Sequence, residues 1–317
     1  MRLPCLMLVL ILAAAGSAVA EDDDGRPAVW IDLYRGEPLS YAEILEDLAS
    51  VRVIYLGESH RLQRHHDIQD RIVADLAKRD IPLVLALEQM ESFRQPVLDR
   101  YNRGEITFDE LARATEWPER WENYRQYQPI LKAAREAGAP VLALNARSEA
   151  VRQIVRSGGI ENLAPEVRKE LPDDIQTKDP PYEKLLNLLM MVHMSATPER
   201  LRPMVEAQIA RDEAMASALC SYLQSPQGQG RTAVVLCGAG HVSYGLGTVA
   251  RVRRRMPGVK DRMVLFSASG DVQLTPAERA MARGITITHE QLRAVDRPIA
   301  DYLHVKGLKR SVPSILE

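Results

Sequence analysis

Five short runs of almost uninterrupted apolar residues limit what this chain can fold into: Val51–Leu56 (VRVIYL), Leu83–Leu87 (LVLAL), Val141–Leu144 (VLAL), Ala233–Cys237 (AVVLC) and Met263–Phe266 (MVLF). Runs this short, without polar alternation, read as strands buried on both faces. Between them lie segments of helical periodicity, among them Arg64–Arg79, Gln128–Ala137 and Pro203–Leu223. Doubly buried strands alternating with helices predict an α/β fold, a mainly parallel sheet with helices on both faces. Gly138-Ala139-Pro140 marks one helix stop leading into a strand. Residues 165–203 break the alternation. They hold six prolines and the Met-rich run Leu185–Met194 (LLNLLMMVHM), apolar around most of a helical circumference. A helical insertion is expected there, either a soft wall over a ligand or a plain core or dimer-contact helix. The sequence predicts one α/β domain over residues 50–275 that includes this insertion, an N-terminal extension over 21–49 and a C-terminal extension over 276–317.

Met1–Ala20 has a different character. Arg2 precedes the apolar run Leu6–Ala15, and Ala18-Val19-Ala20 stands before Glu21. A short basic start, a core too short to span a bilayer and an A-x-A site together predict a cleavable secretory signal peptide. Export across the inner membrane to a soluble, periplasmic location follows. Cys5 lies too early to serve as a lipid-anchor cysteine, so free rather than anchored protein is expected. Removal of the signal leaves Cys220 and Cys237, expected as two buried thiols, although an oxidising compartment permits a bridge. A formal charge of −2 and a pI near 6.4 lack the basic footprint of a general nucleic-acid binder.

Ligands of open parallel sheets bind outside the carboxyl ends of the strands, so the residues that follow each apolar run are the informative ones. They are Gly57-Glu58-Ser59-His60, then Glu88, then Asn145 and Arg147, then Gly238-Ala239-Gly240-His241 with Tyr244 and Gly245. Two Glu, two His, an Arg and a Tyr exceed what βα turns require. Gly57–His60 and Gly238–His241 share the pattern G-x-x-H, in which glycine allows close approach and the His projects over the sheet edge. In Arg64–Arg79 the buried stripe is Ile68, Ile72, Val73 and Leu76. His65 and Gln69 fall inside it and His66 at its margin, which aims polar groups at the same crevice.

Other features have plainer readings. Trp117, Trp121, Tyr124 and Tyr127 have near-helical spacing and are expected to pack rather than stack a ligand. Arg251, Arg253, Arg254 and Arg255 read as a solvated helix face, or as a holder of carboxylates or propionates. G-x-S-x-G, P-loop, H-E-x-x-H and C-x-x-C patterns are absent from the sequence.

Several ordered segments match one known family. GESH with His65, His66 and Gln69, ALE (Ala86–Glu88), QPVLDRY (Gln95–Tyr101), WENYRQYQPIL (Trp121–Leu131), PVLALNARSE (Pro140–Glu149), AQIARDEAMA (Ala207–Ala216) and GAGHVSYGLGTVARVRRR (Gly238–Arg255) occur in sequence. Over roughly residues 50–260 the chain resembles the ChaN-like haem-binding family of the haem-uptake/Tiki superfamily.

The resemblance implies non-covalent haem, a homodimer formed around it, a role in haem or iron uptake and a haem receptor or transporter as partner. It implies Tyr244 as the ligand of the haem iron. The wider set expected to bind the cofactor is Tyr244, His241, His60, His65, His66, Glu58, Glu88 and Arg147. Tyrosinate is a hard oxygen ligand suited to ferric iron, and the lack of C-x-x-C-H excludes covalent attachment. His193, within the Met-rich run, is a further candidate contact. The superfamily also contains metal-dependent proteases and esterases, which makes Glu58, His60, Glu88 and His241 the matching positions for a rival hydrolase reading with a divalent metal ion. Many relatives are lipoproteins; this chain lacks their cysteine.

Overall fold

A computed structural model describes residues 20–21, 27–79, 81–193, 197–268 and 296–306. All five apolar runs are strands. In chain order the strands are β1 (Ala20–Glu21), β2 (Pro27–Asp32), β3 (Glu37–Leu39), β4 (Val53–Glu58), β5 (Leu83–Glu91), β6 (Val141–Asn145), β7 (Thr232–Gly238), β8 (Asp261–Phe266) and β9 (Tyr302–Lys306). They make one sheet in the order β1-β2-β9-β8-β4-β7-β5-β6, with β3 paired to β2. From β9 to β6 every neighbouring pair is parallel, and β1, β2 and β3 form an antiparallel border.

The sheet is wider than residues 50–275. Residues 27–39 and 302–306, read from sequence as parts of terminal extensions, supply β2, β3 and β9. These strands escape the apolar-run criterion because they alternate: in β9 Tyr302, His304 and Lys306 are buried while Leu303 and Val305 are only half-buried. The residues outside the described set include most of the expected signal segment and residues 269–295.

Strand alternation sends successive side chains to opposite layers. Ile54 and Leu56 of β4 join a core with α1 (Tyr41–Leu48), α2 (Gln63–Ala77), α3 (Gln95–Asn102), α4 (Phe108–Ala114), α5 (Trp117–Arg120) and α6 (Gln128–Glu136). Val53 and Tyr55 face the other layer, filled by Met215, Leu219 and Leu223 of α10 (Pro198–Gln224) and Val249 and Val252 of α11 (Thr248–Arg255). Cys220 and Cys237 lie buried and unbridged in this second layer. The expected insertion holds α8 (Pro165–Arg168), α9 (Pro180–His193) and the start of α10; α7 (Ser148–Ser157) precedes it. Its apolar residues join those of α7, α10 and Leu246 in two satellite clusters beside the main layers. The aromatic group packs as expected, with Trp117 near-parallel to Tyr127 and Phe108 stacked on Tyr124.

The outer edge of β6 is covered by side-chain amides of α3. Asn102 Nδ2 donates to the Val141 carbonyl at 2.9 Å while its Oδ1 accepts the Val141 N–H at 2.9 Å. Gln95 Nε2 reaches the same carbonyl at 3.1 Å and its Oε1 accepts the Ala143 N–H at 2.7 Å. Among the described residues, no helix is long and apolar enough to cross a membrane.

Candidate functional site

The strands β4, β7 and β5 are consecutive in the sheet, so their carboxyl ends deliver Glu58, the Gly238–His241 turn and Glu88 to one crevice. Glu58 and Glu88 are still within their strands, both buried. Glu58 Oε1 accepts from His60 Nδ1 at 2.8 Å, from Gln89 Nε2 at 2.9 Å and from the Tyr127 hydroxyl, and Oε2 accepts from Gln69 Nε2 at 2.7 Å. His66 Nε2 stands 3.5 Å from the same Oε2. Burial alone pushes this carboxyl up, but His60 and His66 outweigh it and hold it at about 2.

Glu88 and His241 form the second half. Glu88 Oε2 accepts the Gly238 N–H at 2.6 Å, and Oε1 lies 3.1 Å from His241 Nε2 and 3.2 Å from an Arg211 guanidinium nitrogen. His241 Nδ1 is 2.7 Å from Asp212 Oδ1. Burial disfavours the imidazolium, yet Glu88 and Asp212 overcome it and raise His241 to about 10. Burial also opposes the charge on Glu88, and His241 keeps that carboxyl far below the usual range. The halves meet over Gly238, where a Cβ would stand 2.8 Å from His60 Nε2 and 3.6 Å from Glu88 Oε2. Glycine is required here by space.

The remaining expected residues separate. His65 turns away from the crevice: its Nδ1 accepts the Ser59 N–H at 2.9 Å and its Nε2 faces the Ser267 carbonyl at 3.3 Å. Burial, with Arg64 beside it, lowers His65 to about 4, so it is a neutral brace for the first G-x-x-H turn. His66 packs edge-on against Tyr127 beneath Glu58. Arg147 stands outside, because as the residue capping α7 it points outward to Glu170 at 3.3 Å and Glu149 at 3.5 Å. The basic group is paired in place: Arg251, Arg254 and Arg255 reach Glu213, and Arg253 grips Asp261 with two bonds. The side chain of His193 lies outside the described residues.

Tyr244 follows His241 on a second short turn. Its φ of 62° is left-handed, shared among the described non-glycine residues only with Glu116. The Tyr244 N–H donates to the Ile299 carbonyl at 2.7 Å. Its half-buried ring packs with Met190 against the cluster of Tyr182, Leu185, Leu186, Val205, Ile209 and Leu246, so it belongs to the insertion rather than to the carboxylates. Burial raises its phenol.

Sequence reasoning missed the contribution of α10. Gln208, Arg211 and Asp212 enter the crevice from a helix whose polar residues look like a solvent face. Gln89, which binds Glu58, was likewise unassigned, and Tyr127, expected only to pack, also donates its hydroxyl to Glu58. Among the described residues, no three His, Cys, Asp or Glu side chains group as a metal-binding set.

The fold has solved counterparts. ChaN of Campylobacter jejuni, described with cofacial haem binding, superposes with a TM-score of 0.64 at 20% identity, covering 88% of this chain and 97% of that one. Erythromycin esterase EreC in its open conformation gives 0.41 at 13% identity over 75% of this chain and 76% of its own, and a Bacillus cereus protein gives 0.40 at 14% identity over 71% and 68%. The latter two are too distant to inform the site. No curated protein matches the chain in sequence. The profile of one family, described as haem-binding uptake, Tiki superfamily, ChaN, does match, and it runs over residues 44–252. With more than half its length inside that profile, the chain belongs to the ChaN family of haem-binding uptake proteins.

Proposed function

We propose that this chain is an exported, periplasmic haem-binding protein of haem or iron uptake, with Tyr244 as ligand to the iron at a homodimer interface. The observation that carries this reading is the Tyr244 phenol. Its backbone is held in a conformation that non-glycine residues seldom adopt, and its hydroxyl has no hydrogen-bond partner among the described residues. Around it lie apolar groups suited to a flat porphyrin face: half-buried Met190 and the exposed Ile299. These residues fit haem. Bound haem supplies a ferric centre whose charge favours tyrosinate over phenol. Tyr244 would present the oxygen, and α9 would shield one porphyrin face from water. The part-exposed His60 and Arg211 offer hydrogen-bond donors for propionates, and release would hand haem to a receptor or transporter. Titration of the purified chain with haemin should give a saturable Soret change, with binding weakened roughly tenfold or more by Tyr244→Phe. Binding indifferent to that substitution would remove Tyr244 from the role, and sedimentation with and without haemin tests the dimer.

One observation favours a second reading, a hydrolase. His60 Nδ1 is held by Glu58, while its Nε2 stands over Gly238 without a partner among the described residues. Asn145 Oδ1 and Gln89 Oε1 nearby are buried polar atoms that also lack partners there. A His oriented at one nitrogen and open at the other can take a proton from water. In this reading Glu58 orients the base, while Glu88 and His241 face the substrate. An ester and peptide panel, run on wild type and His60→Ala with and without added divalent metal, decides it. Turnover lost in His60→Ala supports the reading; no turnover by a folded wild type under any condition ends it.

A further inference from the structure

We infer that Asp212 is the positioning residue for Tyr244, acting as one carboxylate that fixes both ends of the Tyr244 loop and ties it to the insertion. This rests on the reading of Tyr244 as iron ligand. Asp212 is fully buried in α10. Its Oδ1 accepts from His241 Nδ1 and from Thr248 Oγ1, each at 2.7 Å, and its Oδ2 accepts from the Tyr182 hydroxyl at 2.7 Å. His241 and Thr248 bracket the segment that carries Tyr244. That segment is bent by three left-handed residues, Tyr244 (φ 62°), Gly245 (φ 63°) and Gly247 (φ 60°). It folds back so closely that a Cβ on Gly247 would stand 2.6 Å from the His241 carbonyl oxygen and 3.1 Å from the Tyr182 hydroxyl.

A left-handed Tyr is intrinsically unfavourable, so it persists only where the surroundings over-determine it. Two restraints act here. The Ile299 carbonyl fixes the middle of the loop through the Tyr244 N–H, and Asp212 fixes its two ends. The third bond of Asp212 reaches Tyr182 near the start of α9, whose Leu185, Leu186 and Met190 pack in the same cluster as Tyr244. Asp212 therefore sets the ligand against the apolar wall that would cover haem. It touches neither haem nor the Tyr244 ring in this account, and works only through His241, Thr248 and Tyr182.

The test compares Asp212→Ala with Asp212→Asn in the full chain. Asparagine keeps an oxygen for His241 and Thr248 and can turn its amide toward the Tyr182 oxygen, so it should retain wild-type behaviour. Alanine should speed haemin dissociation roughly tenfold, weaken the tyrosinate-to-iron charge-transfer band and raise amide exchange at Tyr244 in the haem-free chain. A role in stability alone would lower the melting temperature while leaving the band and the dissociation rate unchanged. Folded Asp212→Ala with wild-type band, rate and exchange overturns the inference. If alanine prevents folding, Thr248→Val, which removes one of the three bonds, decides: a roughly threefold faster dissociation supports it and no change overturns it. Should wild type fail to bind haemin, the haem reading falls, and amide exchange in the haem-free variants alone judges the positioning role.

Discussion

Gly57–His60 and Gly238–His241 are the same four-residue pattern on adjacent parallel strands, yet they hold their imidazoles in opposite ways. His241 has an acid at each ring nitrogen and a side chain 6% exposed, whereas His60 has one acid, Glu58 of its own turn, and is 36% exposed. The strand neighbours make the difference. β7 lies between β4, which ends in Glu58, and β5, which carries Glu88, and α10 adds Asp212. β4 has β7 on one side and β8 on the other, and β8 ends in Phe266. The first turn is therefore braced from behind by neutral His65 and keeps an open nitrogen; the second is locked by charge. A tetrapeptide supplies an imidazole, but its position in the sheet order decides whether that imidazole is free to act.

The strongest way to break this contrast is Glu58→Ala, which leaves His60, Gln69, Gln89 and Tyr127 without their shared acceptor. Urea unfolding should show a loss of about 3–5 kcal/mol; a loss below about 1 kcal/mol would mean the buried hub is dispensable. Acid and alkali should then separate the two turns. His65 sits at about 4 when folded against an ordinary 6.5, so the unfolded chain takes up the proton first. Its contribution is complete above pH 6.5 and lost as pH falls toward 4, by at most roughly 3 kcal/mol. The contribution of Glu58, held at about 2, is present above its ordinary 4.5 and is lost only as pH falls toward 2. His241 runs the other way: raised to about 10, it contributes fully below pH 6.5 and loses that contribution as pH rises through 10. Melting temperatures across a pH series should therefore fall on both sides, and His65→Gln should flatten the limb between pH 6.5 and 4. Parallel acid limbs in wild type and His65→Gln would contradict the brace.

Smaller effects sharpen the comparison. Gly57→Ala would press a methyl group onto Leu265 Cδ2 and within 3.3 Å of the Ala239 Cα, which ties the two turns together. A cost of about 1–3 kcal/mol in thermal or urea unfolding is expected. His60→Ala should cost less than about 1 kcal/mol, because the side chain is part exposed and Glu58 keeps its other donors. An equal cost at His60 and in His241→Ala would erase the distinction.

Much of this was legible in the sequence because parallel strands announce themselves as apolar runs, and an ionisable residue just after such a run stands out. Glu58, Glu88, His60 and His241 were found that way, and they do converge. Asp212, Gln208 and Arg211 were not, since a polar face on a long helix looks the same whether it meets water or a buried crevice. β9 was missed because alternation in Tyr302–Lys306 carries little signal without its partners, which lie far away in sequence at β2 and β8. For the four arginines of α11 the sequence left a solvated face and a hold on carboxylates both open, because Glu213 sits on another helix and Asp261 beyond the helix's end.

The amides of Gln95 and Asn102 along β6 have a consequence for assembly. A sheet ordinarily ends where strands run out, leaving a row of backbone groups that any extended peptide can recognise. Here the Val141 N–H and carbonyl and the Ala143 N–H on that margin are already bonded by side chains of the same molecule. Over these residues the edge is capped chemically, and a neighbouring polypeptide that meets them finds amide side chains of α3 in place of open backbone groups.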